Sequence, residues 1–269
     1  VERGYTLHAN KPLHKGKEIL SIPPRLYVPY SAANAVAIAS SRNPEALNSI
    51  DKMVHDAFGG DKEKHKESVN SLTAAICLGI NITLTDKNDE YINLLRGNPI
   101  TVHPLLMSRS LVSSSLAGTG ALRKILDHKK IFEYVGESFF GQGTQRSKAF
   151  LWSMSTILSR ALSSQYSPFT LVPLLDLVNH AHESNAQHTF IQNRFVLHTT
   201  REVEEGAELS INYGPNRSSA SFLRLYGFLP DQWAESTRWE NDVLEMEWAS
   251  AHDLAQKRTT ISMKKLFDA

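Results

Sequence analysis

Two short stretches concentrate residues able to do chemistry. Leu171-Val172-Pro173-Leu174-Leu175-Asp176-Leu177-Val178-Asn179-His180 is an apolar run that carries a carboxylate, an amide and an imidazole with no opposing charge among them. Buried polar groups need hydrogen-bond partners. The run is therefore either a turn that satisfies itself through nearby backbone or a site aimed at a polar ligand. About thirty residues later, Glu205-Gly206-Ala207-Glu208-Leu209-Ser210-Ile211-Asn212-Tyr213-Gly214 reads as a turn, a strand and a tyrosine at the strand's end beside a glycine. Taken alone, Tyr213 serves either cross-strand packing or catalysis.

Several familiar chemistries are excluded. There is no Gly-rich phosphate loop ending in Lys-Ser/Thr, no His-Glu-x-x-His and no Gly-x-Ser-x-Gly. His180, His182 and His188 cluster, but their spacing matches no zinc pattern and no cysteine accompanies them, so no metal site is expected. The single cysteine, Cys77, excludes an intramolecular disulfide and adjoins the apolar stripe Val69, Leu72, Ile76, which places it in a core. Lys62, Lys64, His65 and Lys66 interleave with Asp61, Glu63 and Glu67, the pattern of a solvated helix face. With 29 Lys+Arg against 28 Asp+Glu, 41% hydrophobic and 21% charged residues, the 269-residue chain has ordinary globular composition and no basic surplus for nucleic acid. No apolar run reaches the ~20 residues that cross a bilayer. The expectation is a soluble intracellular protein of cytoplasm or nucleus, with an organelle open if a leader has been removed.

The elements that must position these residues come in three textures. Tyr5 to Ala9 alternates, and Glu18 to Ile22 runs extended into Pro23-Pro24, so roughly the first thirty residues read as β. Ser31 before an alanine-rich run, Asn43 before Pro44, and Thr144 before Phe150, Met154, Ile157 and Ala161 are cap-then-stripe patterns; residues 31–163 are expected to be mostly helical. The β texture then returns, with Phe190-Ile191 and Phe195-Val196-Leu197 flanking a polar turn. Strands, a long helical stretch, then strands again suggest a helical insertion in a β-rich domain, an α+β fold. The last forty residues, with Trp233, Trp239 and Trp248, read as a helical tail whose tryptophans anchor it to the body.

Taken together, Asp-Leu-x-Asn-His ahead of Gly-x-Glu-Leu-x-Ile-x-Tyr-Gly, followed by Leu225-Tyr226-Gly227-Phe228, resembles the SET-domain protein methyltransferases, in particular the branch typified by the plant Rubisco large-subunit lysine methyltransferase. Gly4-Tyr5-Thr6-Leu7, Lys15-Gly16-Lys17-Glu18, Ile22-Pro23 and Ser159-Arg160-Ala161 extend the resemblance over about residues 1–230. It implies small curved sheets around a knot-like crossing, divided as 1–30 and 146–230 for the SET domain, 31–145 for the helical insertion and 231–269 for the tail. It also implies S-adenosylmethionine as cofactor and a protein or peptide carrying the acceptor lysine as partner. By position, Asn179, His180, Arg160, Phe228 and the backbone of Gly4 and Tyr5 would bind the cofactor. Asp176 and Tyr226 would line the substrate channel, and Tyr213 would be catalytic.

The resemblance thus implies methyl transfer to lysine of a non-histone protein. Two other readings stand beside it: a non-catalytic SET fold that binds a peptide or partner, and a histidine N-methyltransferase. Thr6 stands where the family's first strand has the second glycine of Gly-x-Gly, and its β-branch is expected to crowd the cofactor's approach.

Overall fold

The computed structural model describes residues 5–29, 31–57, 62–85, 89–97, 103–164, 167–214, 217–230, 243–250 and 253–262, with backbone alone at 55–57, 62–66 and in the last two stretches. β1 (Glu18–Ile22) precedes seven helices: α1 (Ala32–Arg42), α2 (Pro44–Ala57), α3 (Lys62–Leu84), α4 (Glu90–Gly97), α5 (Arg109–Ser115), α6 (Gly120–Phe140) and α7 (Gln145–Arg160). β2 (Asn179–His180), β3 (Ala186–Ile191), β4 (Arg194–Thr199), β5 (Ser210–Ile211) and α8 (Ser219–Tyr226) follow, then β6 (Val243–Ser250) and β7 (Asp253–Ser262).

The caps anticipated from sequence are made. Ser31 Oγ accepts from Asn34 N–H at 3.2 Å, Asn43 Oδ1 from Ala46 N–H at 3.1 Å and Thr144 Oγ1 from Ser147 N–H at 3.1 Å, each satisfying a backbone donor that the first turn leaves without a partner. The helical stripes then meet in one core. Ile76 and Ile80 of α3 are buried with Phe150, Met154 and Ile157 of α7 and with Ala35 and Ala39 of α1. Gly79 is where α3 approaches α7: a Cβ there would lie 2.5 Å from Met154 Sδ and 2.9 Å from the Phe150 ring. Cys77 is buried in the same core, and desolvation pushes its thiol up to about 12, so it stays neutral.

The sheets are small. β1, β4 and β3 form an antiparallel sheet, with Ile22 opposite Phe195 and Phe190 opposite Phe195. The β3–β4 turn takes Gln192 (φ 48°) and Asn193 (φ 64°) into left-handed conformation, as a two-residue hairpin requires. β2 and β5 pair in parallel, Asn179 beside Ser210 and His180 beside Ile211. The expected strand over Tyr5–Ala9 is reduced to a single bridge, His8 with Glu208, flanked by backbone bonds from Ala9 N–H to the Ala207 carbonyl at 3.0 Å and from Leu209 N–H to the Leu7 carbonyl at 2.8 Å.

The tail is corrected. Where helix was expected, β6 and β7 pair antiparallel, with Glu247 opposite Arg258 and Trp248 opposite Lys257. Leu244, Met246 and Trp248 alternate with Glu245 and Glu247, a period of two that outweighs the helix-forming character of those residues. Trp233 and Trp239 lie outside the described residues. Among the described residues, no helix is long and apolar enough to cross a membrane.

Candidate active site

The parallel pairing of β2 with β5 builds the centre of the site. It carries the Asn179-His180 segment alongside the strand that leads to Tyr213. His180 Nδ1 accepts the Tyr213 backbone N–H at 3.1 Å, so the proton of the neutral ring sits on Nε2. The Tyr213 hydroxyl donates back to the Val178 carbonyl at 2.8 Å. These two bonds lock the segments face to face.

Around that lock lies an aromatic cluster. The His180 ring centroid is 4.9 Å from Phe222, 5.2 Å from Tyr213 and 6.3 Å from Phe228, and Tyr213 is 4.7 Å from Tyr226. α8 brings Phe222 and Tyr226. It is capped by Ser218 and ends at Gly227, whose left-handed φ of 78° and whose missing Cβ, which would lie 2.9 Å from His103 Cα, let the chain turn Phe228 back toward the cluster. The Arg217 guanidinium lies over the Tyr226 ring at 5.7 Å and donates through Nε to the Tyr213 carbonyl at 2.8 Å.

Desolvation dominates the electrostatics. It pushes the His180 imidazole down to about 4, against the Ile211 carbonyl, so the ring is neutral at physiological pH. It pushes the Tyr213 phenol up, with Arg160 pulling the other way, so the phenol keeps its proton. Asp176 is 6% exposed, and burial raises its carboxyl to about 6 against the hydrogen bond from Tyr91 and the charge of Arg160.

A second layer of polar bonds holds the cluster. Arg160, the last residue of α7, donates through Nη1 to the Asp176 carbonyl at 2.7 Å. Glu208 Oε1 accepts from Asn179 Nδ2 at 2.8 Å and from Thr6 Oγ1 at 2.7 Å. Asn185 closes the layer, donating to the Glu208 carbonyl at 2.8 Å and accepting from Ser210 N–H at 2.9 Å. Thr6 donates its hydroxyl to the carboxylate that also holds Asn179.

His180, Tyr213, Tyr226 and Phe228 are thus joined by ring contacts with Asn179 beside His180 in the chain, while Arg160 and Asp176 form a hydrogen-bonded pair. Tyr5 stands apart: it is 47% exposed, and its hydroxyl lies 3.7 Å from where a Gly97 Cβ would be, at the end of α4. Gly4 lies outside the described residues. Sequence reading missed Tyr91, whose hydroxyl bonds the Asp176 carboxylate, along with Phe222 and Arg217. Phe222 and Arg217 were within reach as neighbours of the tyrosine motif, whereas nothing in the local pattern of α4 marks Tyr91. Among the described residues, no three His, Cys, Asp or Glu side chains gather as a metal site would need.

The strand part of the site, from Arg160 to Tyr213, lies within the span matched by a family of known proteins. The sequence model of the SET domain matches residues 4–214. The chain belongs to the SET domain family. SET domain-containing protein 8 of Schizosaccharomyces pombe is 31% identical over 153 residues, 55% of this chain and 35% of that relative. The chain therefore matches about a third of that curated relative's length. Among solved structures, this SET fold is similar to the SET domain of LSMT bound to lysine and AdoHcy, with a TM-score of 0.60 and 17% identity over 94% of this chain and 56% of that one. It is also similar to Rubisco LSMT bound to AdoMet, with a TM-score of 0.61 and 19% identity over 98% of this chain and 61% of that one. These likenesses show the SET fold, small sheets and helices without a closed barrel.

Proposed function

We propose that this SET domain transfers a methyl group from S-adenosylmethionine to the side chain of a lysine in a non-histone protein. The observation that carries the reading is the lock of Asn179-His180 against Tyr213 within one aromatic cluster. The donor set suits the cofactor. Asn179 spends Nδ2 on Glu208 and keeps its amide oxygen as an acceptor for an ammonium group. Arg160 supplies a cation for a carboxylate, while His180 and Phe228 offer ring faces to an adenine. When bound, the cofactor supplies a methyl group already activated on a sulfonium.

What this chain adds is position. The Tyr213 phenol keeps its proton and commits it to Val178, so it is no general base; its oxygen presents lone pairs that accept an amine N–H or weak C–H contacts. Removal from water disfavours a charged ammonium and so helps the acceptor nitrogen to its neutral, nucleophilic form. Holding the reacting atoms in line is then the principal contribution.

Calorimetric titration with S-adenosylmethionine tests the reading: the wild type binds and Asn179→Ala binds at least about tenfold more weakly. Binding absent at millimolar ligand would favour a non-catalytic fold. Labelled-methyl transfer into a cell lysate, with mass spectrometry of the modified peptide, then separates a lysine acceptor from a histidine.

A further inference from the structure

Asp176 is held on three sides. Its backbone N–H donates to the Val172 carbonyl at 3.1 Å, its carbonyl accepts from Arg160, and its Oδ2 accepts from the Tyr91 hydroxyl. Its Oδ1 is buried and has no hydrogen-bond partner among the described residues. Folded proteins rarely leave a carboxylate oxygen in this state, because burial without a partner forfeits its hydration. The exception sits two residues before Val178, whose carbonyl accepts the hydroxyl of the proposed catalytic tyrosine, Tyr213, at 2.8 Å. Tyr91 arrives from α4, 85 residues away in sequence, and is itself partly buried, with its hydroxyl held protonated by desolvation and by Asp176.

We infer that Tyr91 is a positioning residue for methyl transfer, clamping Asp176 through Oδ2 so that Oδ1 is presented to an N–H of the acceptor side chain. The inference rests on the methyl-transfer reading above and deepens it, because it makes a helix outside the strand motifs part of the substrate site. A carboxylate free to rotate about its last torsion would exchange its two oxygens and turn toward Arg160. The hydroxyl of Tyr91 removes that freedom and sets which oxygen faces the substrate.

The clamp also sets charge. The ionisable groups acting on the Asp176 carboxyl are Tyr91 from α4 and Arg160 from α7, both favouring the ionised form against burial; the neutral Tyr213 phenol lies close by, after β5. Removing the Tyr91 hydroxyl takes away a donor to the ionised form, so the carboxyl titrates at higher pH. The acidic limb of the kcat/KM profile moves with it.

The test is Tyr91→Phe, which keeps the ring and its packing. Carbon-13 NMR titration of the aspartate carboxyls, with the Asp176 signal assigned from Asp176→Asn, should show its midpoint rising by about one pH unit in Tyr91→Phe. An unmoved midpoint overturns the inference whether or not a substrate is known. With a substrate in hand, kcat/KM near neutral pH should fall about tenfold while S-adenosylmethionine affinity is unchanged, and Tyr91→Phe should add little on an Asp176→Asn background. Full additivity there, or a wild-type kcat/KM from about pH 6 to 9, overturns it. A wild type that binds the cofactor yet methylates no protein overturns the methyl-transfer reading instead, and the carboxyl titration still decides whether Tyr91 acts on Asp176.

Discussion

The helices between β1 and β2 and the small sheets around β2 and β5 are held by different physics. The helical side buries long apolar side chains against one another, Ile76, Ile80, Phe150 and Met154 among them, and its helix starts are satisfied locally by their own caps. The site rests on a smaller apolar cluster, in which Val178 and Ile211 are buried with Phe195 and Tyr213 packs against them, and directional bonds add what that cluster does not set. β2 and β5 are two residues each, and what fixes them is a layer of directional bonds among Glu208, Asn179, Asn185, Thr6, His180 and Tyr213. Burial is additive and tolerant of small shifts, whereas directional bonds are not. Damage on the helical side should therefore appear as lost stability, and damage at the site as lost function with the fold standing.

The sharpest break of that contrast is Phe150→Ala. Its ring is fully buried against Gly79 and Gly136, and truncation should cost about 3–5 kcal/mol in chemical denaturation. A loss under about 1 kcal/mol would show that the helical core is not what holds the domain.

Next in size is Tyr213→Phe. It should cut the methyl-transfer rate about a hundredfold, near 2.7 kcal/mol of barrier, while cofactor affinity is kept. Its stability should drop by only about 1 kcal/mol, because the Val178 carbonyl loses its donor. A wild-type rate in the Phe variant would remove the active site from the end of this strand.

Acid should weaken both sides together. Burial holds His103, His128 and His180 at about 4 in the fold, whereas unfolded histidine titrates near 6.5. The unfolded chain thus binds protons first, and stability that is full above about 6.5 is lost as pH falls toward 4. Asp176 works the other way, since its folded value of about 6 exceeds the ordinary 3.8 and acidification across that interval favours the fold. Burial lowers His188 as well, so four histidines oppose one carboxyl, and scanning calorimetry should show the melting temperature falling by several degrees from about pH 6.5 to about 4. His128→Gln should make the decline shallower; an unchanged slope would remove His128 from the balance.

The smallest effect belongs to Thr6. Thr6→Val keeps the shape and deletes the bond to Glu208, which should loosen Asn179 and weaken S-adenosylmethionine binding about fivefold, near 1 kcal/mol. Thr6→Ser should restore it. Unchanged binding by the valine variant would mean that the bond to Glu208 does not hold Asn179 in place for the cofactor.

Much of the helical side was legible in the chain. Ser31, Asn43 and Thr144 mark the helix starts, and the stripe through Phe150, Met154 and Ile157 names the buried face, because a cap and a 3.6-residue period act within one or two turns. The ordered motifs around Asn179-His180 and Tyr213 likewise carried the family and most of the site. The tail was misread because its acidic and apolar residues suit a helix by propensity, and the period of two was the better guide.

The amino-acid order alone settled the α+β texture, the helix caps, the core stripes and the motifs that carry the family resemblance. All of these are written in short-range spacing or in motif order. The contacts that join distant parts were settled by folding. Tyr91 on Asp176 spans 85 residues, and Thr6 on Glu208 spans 202. Chain closure over such lengths costs little more for one pairing than for another, so sequence separation does not choose among partners. The choice follows from how α4, α7 and the small sheets pack once every stripe is buried.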